Sequence, residues 1–342
     1  MSRLHPEARR AILLSDQEAG SLYRPAVKTA LVQAGLRTLD ITVPSGRDCR
    51  TLDCAEELWG AFAQSGISAD TVLVSLGGLS VCDIGMYTAA GYRGGMPCAL
   101  VPTAADAMAC AATLPFAAVD IPQSPETATA APQPSFACVS LDALASEAKG
   151  RVLTGFAEVA RAVMLGAGDE FFQLADNVSG MLSGNEESLI AAFALAHIAR
   201  ADALAQVPSV PPRHAARYGF EYGELLRIAA EACGCTQPEL RGRLLADGMR
   251  MEARLGVALG ITPLELMSDQ DDLLDQLGLE PVGGLPSPAD LVDAMVESVG
   301  CPDGFLRLAL PTNAGSFELA DIEAALVQDH LEARAASLED KE

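Results

Sequence analysis

Four groups of residues in this sequence are of types that could do chemistry. After the strand-like run Thr71-Val-Leu-Val-Ser75 come Leu76-Gly77-Gly78-Leu79 and, a little further on, Asp83. Glycines directly after a strand let backbone N–H groups approach a phosphate with no Cβ in the way. Cys110 stands at the end of a short predicted helix, before Ala111-Ala112-Thr113. It reads either as a nucleophile or as a packed thiol, with no His beside it in sequence to act as base. Cys233-Gly-Cys235 is the one close cysteine pair, either a soft-metal or redox site or two small buried thiols. The acidic runs Glu186-Glu187 and Asp269-Gln-Asp-Asp272 lack calcium-loop spacing and read as helix starts and solvated faces.

The elements that must position these groups differ between the two halves of the chain. Buried strand patterns at 11–15, 38–43, 71–75 and 98–101 alternate with helical patterns at 22–34, 52–64 and 83–90. That alternation predicts a parallel sheet with both faces covered. Ile121 to Pro134 carries four prolines in a small, polar run and reads as a loop or linker. Helical periodicity follows at 151–166, 186–206, 221–233, 239–259 and 263–277. Ser287-Pro288 has the form of an N-cap and first helical position, and 305–310 of one late strand. The predicted organisation is an α/β domain at 1–121, a linker at 122–140, a helical domain at 141–330 and a frayed charged tail at 331–342.

Length and composition bound the function. At about 150 residues per domain, 342 residues suggest two domains. Half of the residues are hydrophobic, which excludes wholesale disorder. Lys+Arg total 23 against 46 Asp+Glu, a net charge of −23 that disfavours a nucleic-acid partner. Only three cations are lysines: Lys28, Lys149 and Lys341. No run of 18 apolar residues predicts a membrane span, and an odd count of nine cysteines fits a reducing cytoplasm.

Seven motifs in register resemble the dehydroquinate synthase family, over residues 10 to about 330. They are Ser75–Asp83, then Tyr92-Arg-Gly94 and Val101-Pro-Thr103, Gly155-Phe-Ala-Glu158-Val, Tyr218-Gly-Phe-Glu-Tyr-Gly223, Gly242–Met249, and Asp303-Gly to Leu310-Pro-Thr312. A more distant likeness runs to the iron-dependent alcohol and glycerol dehydrogenases. The resemblance implies a Rossmann-like domain followed by a helical domain, a cleft between them, a homodimer, and chemistry with NAD and one divalent metal.

The implied site residues depart from that pattern. The cofactor turn retains Gly77, Gly78, Asp83 and Thr103, but Leu79 replaces its third glycine and is expected to obstruct a phosphate. Gly46-Arg-Asp-Cys-Arg50 has Arg47 where the family carries an acid. Of the three implied metal ligands only Glu158 matches. Phe220 and Arg241 occupy the two His positions, so no metal is expected, and Glu158 is expected to pair with an arginine such as Arg241. A site rebuilt from Glu158, Glu224 and His214 is the alternative. Implied lysines appear as Arg161 and Arg200, an asparagine as Arg217, an aspartate as Cys110 and a further lysine as Phe116. An anion site could be formed by Arg93, Arg161, Arg200, Arg213 or Arg217.

Loss at the metal, pyrophosphate and proton-transfer positions predicts a non-catalytic binding or accessory subunit in a biosynthetic pathway, with no NAD or metal. One alternative is a metal- and NAD-independent enzyme that acts on an anionic small molecule through Glu158, Glu224 or Cys110. The other is an active sugar phosphate cyclase with a rebuilt site.

Overall fold

The computed structural model describes residues 4–113, 117–121, 127–131, 133–168, 170–206, 218–219, 223, 226, 240–283, 287–288, 290 and 305–339. The chain forms two compact units, Met1–Glu147 and Ala148–Glu342.

In the first unit, strands β1 (Arg10–Ser15), β2 (Arg37–Thr42), β3 (Thr71–Gly77), β4 (Cys98–Pro102) and β7 (Phe136–Ala137) form a sheet in the order β2-β1-β3-β4-β7, every pair parallel. Helices α1 (Gln17–Gln33), α2 (Leu52–Gln64), α3 (Leu79–Gly91) and α4 (Ala105–Cys110) connect the first four strands and follow the last of these. Alternation along the strands divides the core. Ala11, Leu13, Val72 and Val74 pack with Leu31 on the α1 face. Ile12, Leu14 and Leu73 pack with Leu58, Phe62 and Ile84 on the face of α2 and α3. Side chains set the helix starts: Asp16 accepts from the Ala19 N–H at 2.8 Å, and Thr51 accepts from the Cys54 N–H at 3.1 Å.

The predicted linker is partly strand. Thr127-Ala-Thr-Ala130 is free of proline and half β-branched, and forms β6, antiparallel to β5 (Ala117–Asp120). Phe136–Ala137 forms β7, the fifth strand of the main sheet. The unit boundary therefore falls at Glu147 rather than at 121. The Glu147 carboxylate accepts from the Ala105 N–H at 2.9 Å, at the start of α4.

The second unit contains α5 (Lys149–Gly166), α6 (Glu170–Leu182), α7 (Glu186–Gln206), α8 (Leu240–Ala258) and α9 (Leu264–Gln276). It also holds a hairpin of β8 (Phe305–Asn313) and β9 (Ser316–Glu323), then α10 (Ala324–Glu339). The single late strand of the sequence reading is thus the first arm of a hairpin. The predicted frayed tail is helical to Glu339: Leu331 is buried, and Arg334 donates to Asp247 at 2.6 Å. The same Oδ2 of that buried aspartate also accepts from the Val282 N–H at 2.9 Å. Ser287 caps as predicted, accepting from the Asp290 N–H at 3.2 Å. The predicted helix at 221–233 lies almost entirely outside the described residues.

Helix α5 packs against both α7 and α8, and two glycines allow the approach. A Cβ on Gly166 would collide with the Ala199 carbonyl oxygen of α7. A Cβ on Gly242 of α8 would stand 2.8 Å from the backbone of Thr154. Among the described residues α7 alone is long and apolar enough to cross a membrane. Its buried residues Leu189, Phe193 and Ala196 belong to a helix that packs on α5 and α6.

Candidate functional site

The carboxyl ends of the parallel strands are where a fold of this type binds ligands. The strand order 2-1-3-4 places its topological switch between β1 and β3, so Ser15 and Gly77 face the crevice mouth. Gly78 is the N-cap of α3. A Cβ there would meet only the Ala104 Cβ, at 3.6 Å. Leu79, expected to obstruct a phosphate, packs its side chain into the core cluster. Thr103 donates its backbone N–H to the Gly77 carbonyl at 3.0 Å and pins β4 to this turn.

Asp83 is buried beneath the turn, and Arg50 reaches it at 3.3 Å. Arg50 also pairs with Asp120 at 2.8 Å, and Arg47 with the same aspartate at 3.1 Å. The two arginines after β2 are therefore joined through Asp120 to the end of β5. Sequence reasoning singled out Arg47 and Asp83 but missed this connection. Asp120 lies on a strand it did not predict.

In the second unit Glu158 and Arg161 sit one turn apart on α5, and Arg200 projects from α7. All three are buried. The Glu158 carboxylate accepts from Arg161 and, at 3.3 Å, from Arg200, which also donates to the Glu158 carbonyl at 3.3 Å. Burial alone would raise the Glu158 carboxyl. The positive charges of Arg161, Arg200 and Arg241 outweigh it and hold the group below its ordinary range. The expected pairing with arginine is present: Arg161 and Arg200 are direct partners, and the charge of Arg241 also acts on the carboxylate. The nearer helices supply the guanidiniums because Gly166 and Gly242 bring α7 and α8 against α5.

Of the arginines expected as candidates for an anion site, Arg161 and Arg200 meet at Glu158 in the second unit. Arg93 lies in the first unit, in the turn before β4, and donates to the Ile67 carbonyl at 3.2 Å. That is the amino end of the sheet, away from Gly77. Arg213, Arg217, Phe220 and Glu224, with His214 and Phe116, lie outside the described residues, as do Cys233 and Cys235. Cys110 ends α4 as predicted but is fully buried in the apolar core, where a nucleophile could not meet substrate. Among the described residues no group of three or more His, Cys, Asp or Glu side chains could hold a metal ion.

Residues 40–153 match the model of the 3-dehydroquinate synthase N-terminal family. In that stretch the chain is similar to the N-terminal region of dehydroquinate synthases. It is 28% identical to a 3-dehydroquinate synthase of Geotalea uraniireducens over 319 residues, which cover 92% of this chain and 86% of the relative. It is 25% identical to a 2-epi-valiolone synthase of Actinosynnema mirum over 332 residues, 94% of this chain and 86% of that one. The fold is similar to that of a 2-epi-5-epi-valiolone synthase from Streptomyces hygroscopicus subsp. jinggangensis with NAD+ and Zn2+ bound. The TM-score is 0.80 at 17% identity, over 98% of this chain and 92% of that structure. Dehydroquinate-synthase-like architecture thus accounts for both units: a parallel sheet with its helices, then a helical region.

Proposed function

We propose that this dehydroquinate-synthase-like chain is a non-catalytic binding or accessory subunit of a biosynthetic pathway, working in the cytoplasm as a homodimer. The observation that carries this reading is the engagement of Glu158. A dication at this carboxylate would have to displace Arg161 and Arg200, and would enter the field of three guanidiniums. The described donors do not fit a metal ion. A buried carboxylate between two arginines serves instead as a charge-neutralising tie between α5 and α7.

The first unit fits a phosphate better than it fits the whole of NAD. Gly78 offers open backbone at the start of α3. The position after β2 that would hold a ribose diol with a carboxylate carries Arg47, which is engaged by Asp120. Arginine does not readily shuttle protons, so the guanidiniums at 161 and 200 favour holding charge over moving it. The two enzymatic alternatives lose support with the burial of Cys110 and the engagement of Glu158.

The test supplies purified protein with NAD+, Zn2+ or Co2+ and the seven-carbon sugar phosphate used by dehydroquinate synthases, and follows phosphate release. No turnover is expected, together with substoichiometric metal by elemental analysis. Turnover at an ordinary enzymic rate overturns the reading. Light scattering is expected to return twice the chain mass.

A further inference from the structure

Helix α1 lays two cations along β1 and β2, one turn apart, and they meet different partners. Lys28 pairs with Asp40 of β2 at 2.7 Å. Arg24 meets no carboxylate among the described residues. It donates from Nη2 to Ser15 Oγ at 2.5 Å and to Thr42 Oγ1 at 2.7 Å. Its Nε is buried without a hydrogen-bond partner. Ser15 and Thr42 are register partners, the last residues of β1 and β2. Ser15 falls on the α1 face, in step with Ala11 and Leu13. Gly20 leaves the room: a Cβ there would stand 2.7 Å from both Arg24 Nη2 and Ser15 Oγ.

The exposed Thr42 hydroxyl accepts from Arg24 and keeps its own proton for a further acceptor, while the fully buried Ser15 holds the guanidinium in place. Thr42 is exposed and Arg24 is half-buried. The carboxylates beside them in sequence are committed elsewhere, Asp16 to the cap of α1 and Asp40 to Lys28. At the end of such a strand an acid selects a free ribose diol, whereas an arginine accommodates a phosphate on that ribose. A guanidinium beside an exposed hydroxyl can meet two oxygens of a phosphate monoester. The Gly77-Gly78 turn lies at the end of β3, two strand spacings from β2, or about 10 Å away. A single nucleotide can span that distance.

We propose that Arg24 and Thr42, braced by the buried Ser15, form a site for a phosphate monoester on the sugar of a nucleotide, so that this crevice takes a 2′-phosphorylated dinucleotide in preference to NAD. The site lies wholly in the first unit and does not depend on whether the chain is catalytic. Its binding readout can fail separately from the turnover assay.

The experiment is calorimetric titration of the full chain with NADP+, 2′,5′-ADP, NAD+, 5′-ADP and inorganic pyrophosphate. NADP+ and 2′,5′-ADP are expected to bind at least about tenfold more tightly than NAD+ and 5′-ADP. Arg24→Gln should erase that preference while leaving the residual affinity for NAD+ unchanged. Arg24→Lys should keep part of it, and Thr42→Val should weaken NADP+ several-fold. The melting temperature and circular dichroism of each variant establish that it is folded. Should Arg24→Gln fail to fold, the lysine and valine variants decide the matter. Equal affinity for NAD+ and NADP+, no binding of 2′,5′-ADP at millimolar concentration, equal binding of pyrophosphate and 2′,5′-ADP, or an undiminished preference in the folded variants would overturn the proposal.

Discussion

The side chain on which most turns is Glu158, a carboxylate buried between guanidiniums from two helices. Removing one member of such a group strands the others without a counter-charge. Glu158→Ala is therefore expected to lower stability by about 3–5 kcal/mol, measured as a shift in urea midpoint. The pH dependence has a definite sign. Its folded pKa lies below the ordinary value of 4.5, so the unfolded chain binds the proton more readily. The difference between parent and variant should be complete above about pH 4.5. It should shrink as the pH falls through the lower folded value. A difference that grew on acidification would contradict this assignment. The thiols give a second residue-level expectation. Burial pushes Cys49 and Cys98 up to about 12 and Cys54 to about 11, and raises Cys82 well above its usual value. A brief native pulse of maleimide, mapped by peptide mass, should label the exposed Cys138 and spare these four and Cys110.

At the scale of elements, the crossing of α5 with α7 decides where Arg200 meets Glu158. Gly166→Ala would drive a methyl group into the Ala199 carbonyl and force the helices apart. A loss of about 1–3 kcal/mol is expected, read as a lowered thermal midpoint. The variant should also weaken the Glu158 tie, so combining it with Glu158→Ala should cost less than the two separate losses together. Much of this level was readable from the amino acids. The α2 pattern matches residue for residue, and α5, α7, α8 and α9 lie within two residues of their periodic stretches, because long apolar periods speak plainly. Short strands do not. Residues 127–130 and 136–137 sit among prolines, and their pairing is settled by partners far along the chain. Likewise the spacing of Glu158 and Arg161 is visible on one helix, while the arrival of Arg200 depends on how two helices cross. The Arg24 arrangement had a signal that went unused: Arg24 and Lys28 are four apart on α1, and Thr42 and Asp40 are two apart on β2.

At the scale of the whole molecule, a net charge of −23 on 342 residues makes self-repulsion a general tax on the compact state. Raising sodium chloride from 10 to 150 mM should increase the melting temperature by about 2–4 °C, since screening lengths fall to the spacing of surface charges. A fall over that range would mean that attractive surface pairs dominate. Specific ties such as Arg334 to Asp247 should contribute little to this trend, because both groups lie within the fold.

Where β7 comes from in the chain also has a practical bearing. The segment that completes the sheet, Phe136–Ala137, arrives only after the proline-rich passage, and it covers the outer side of β4. A polypeptide ended at residue 121 would leave that side as a row of bare amide and carbonyl groups, ready to recruit another chain. One ended at residue 147 would carry its own seal. The shorter piece should therefore grow into large particles under light scattering while the longer one stays discrete, and identical behaviour of the two would show that so brief a strand protects nothing.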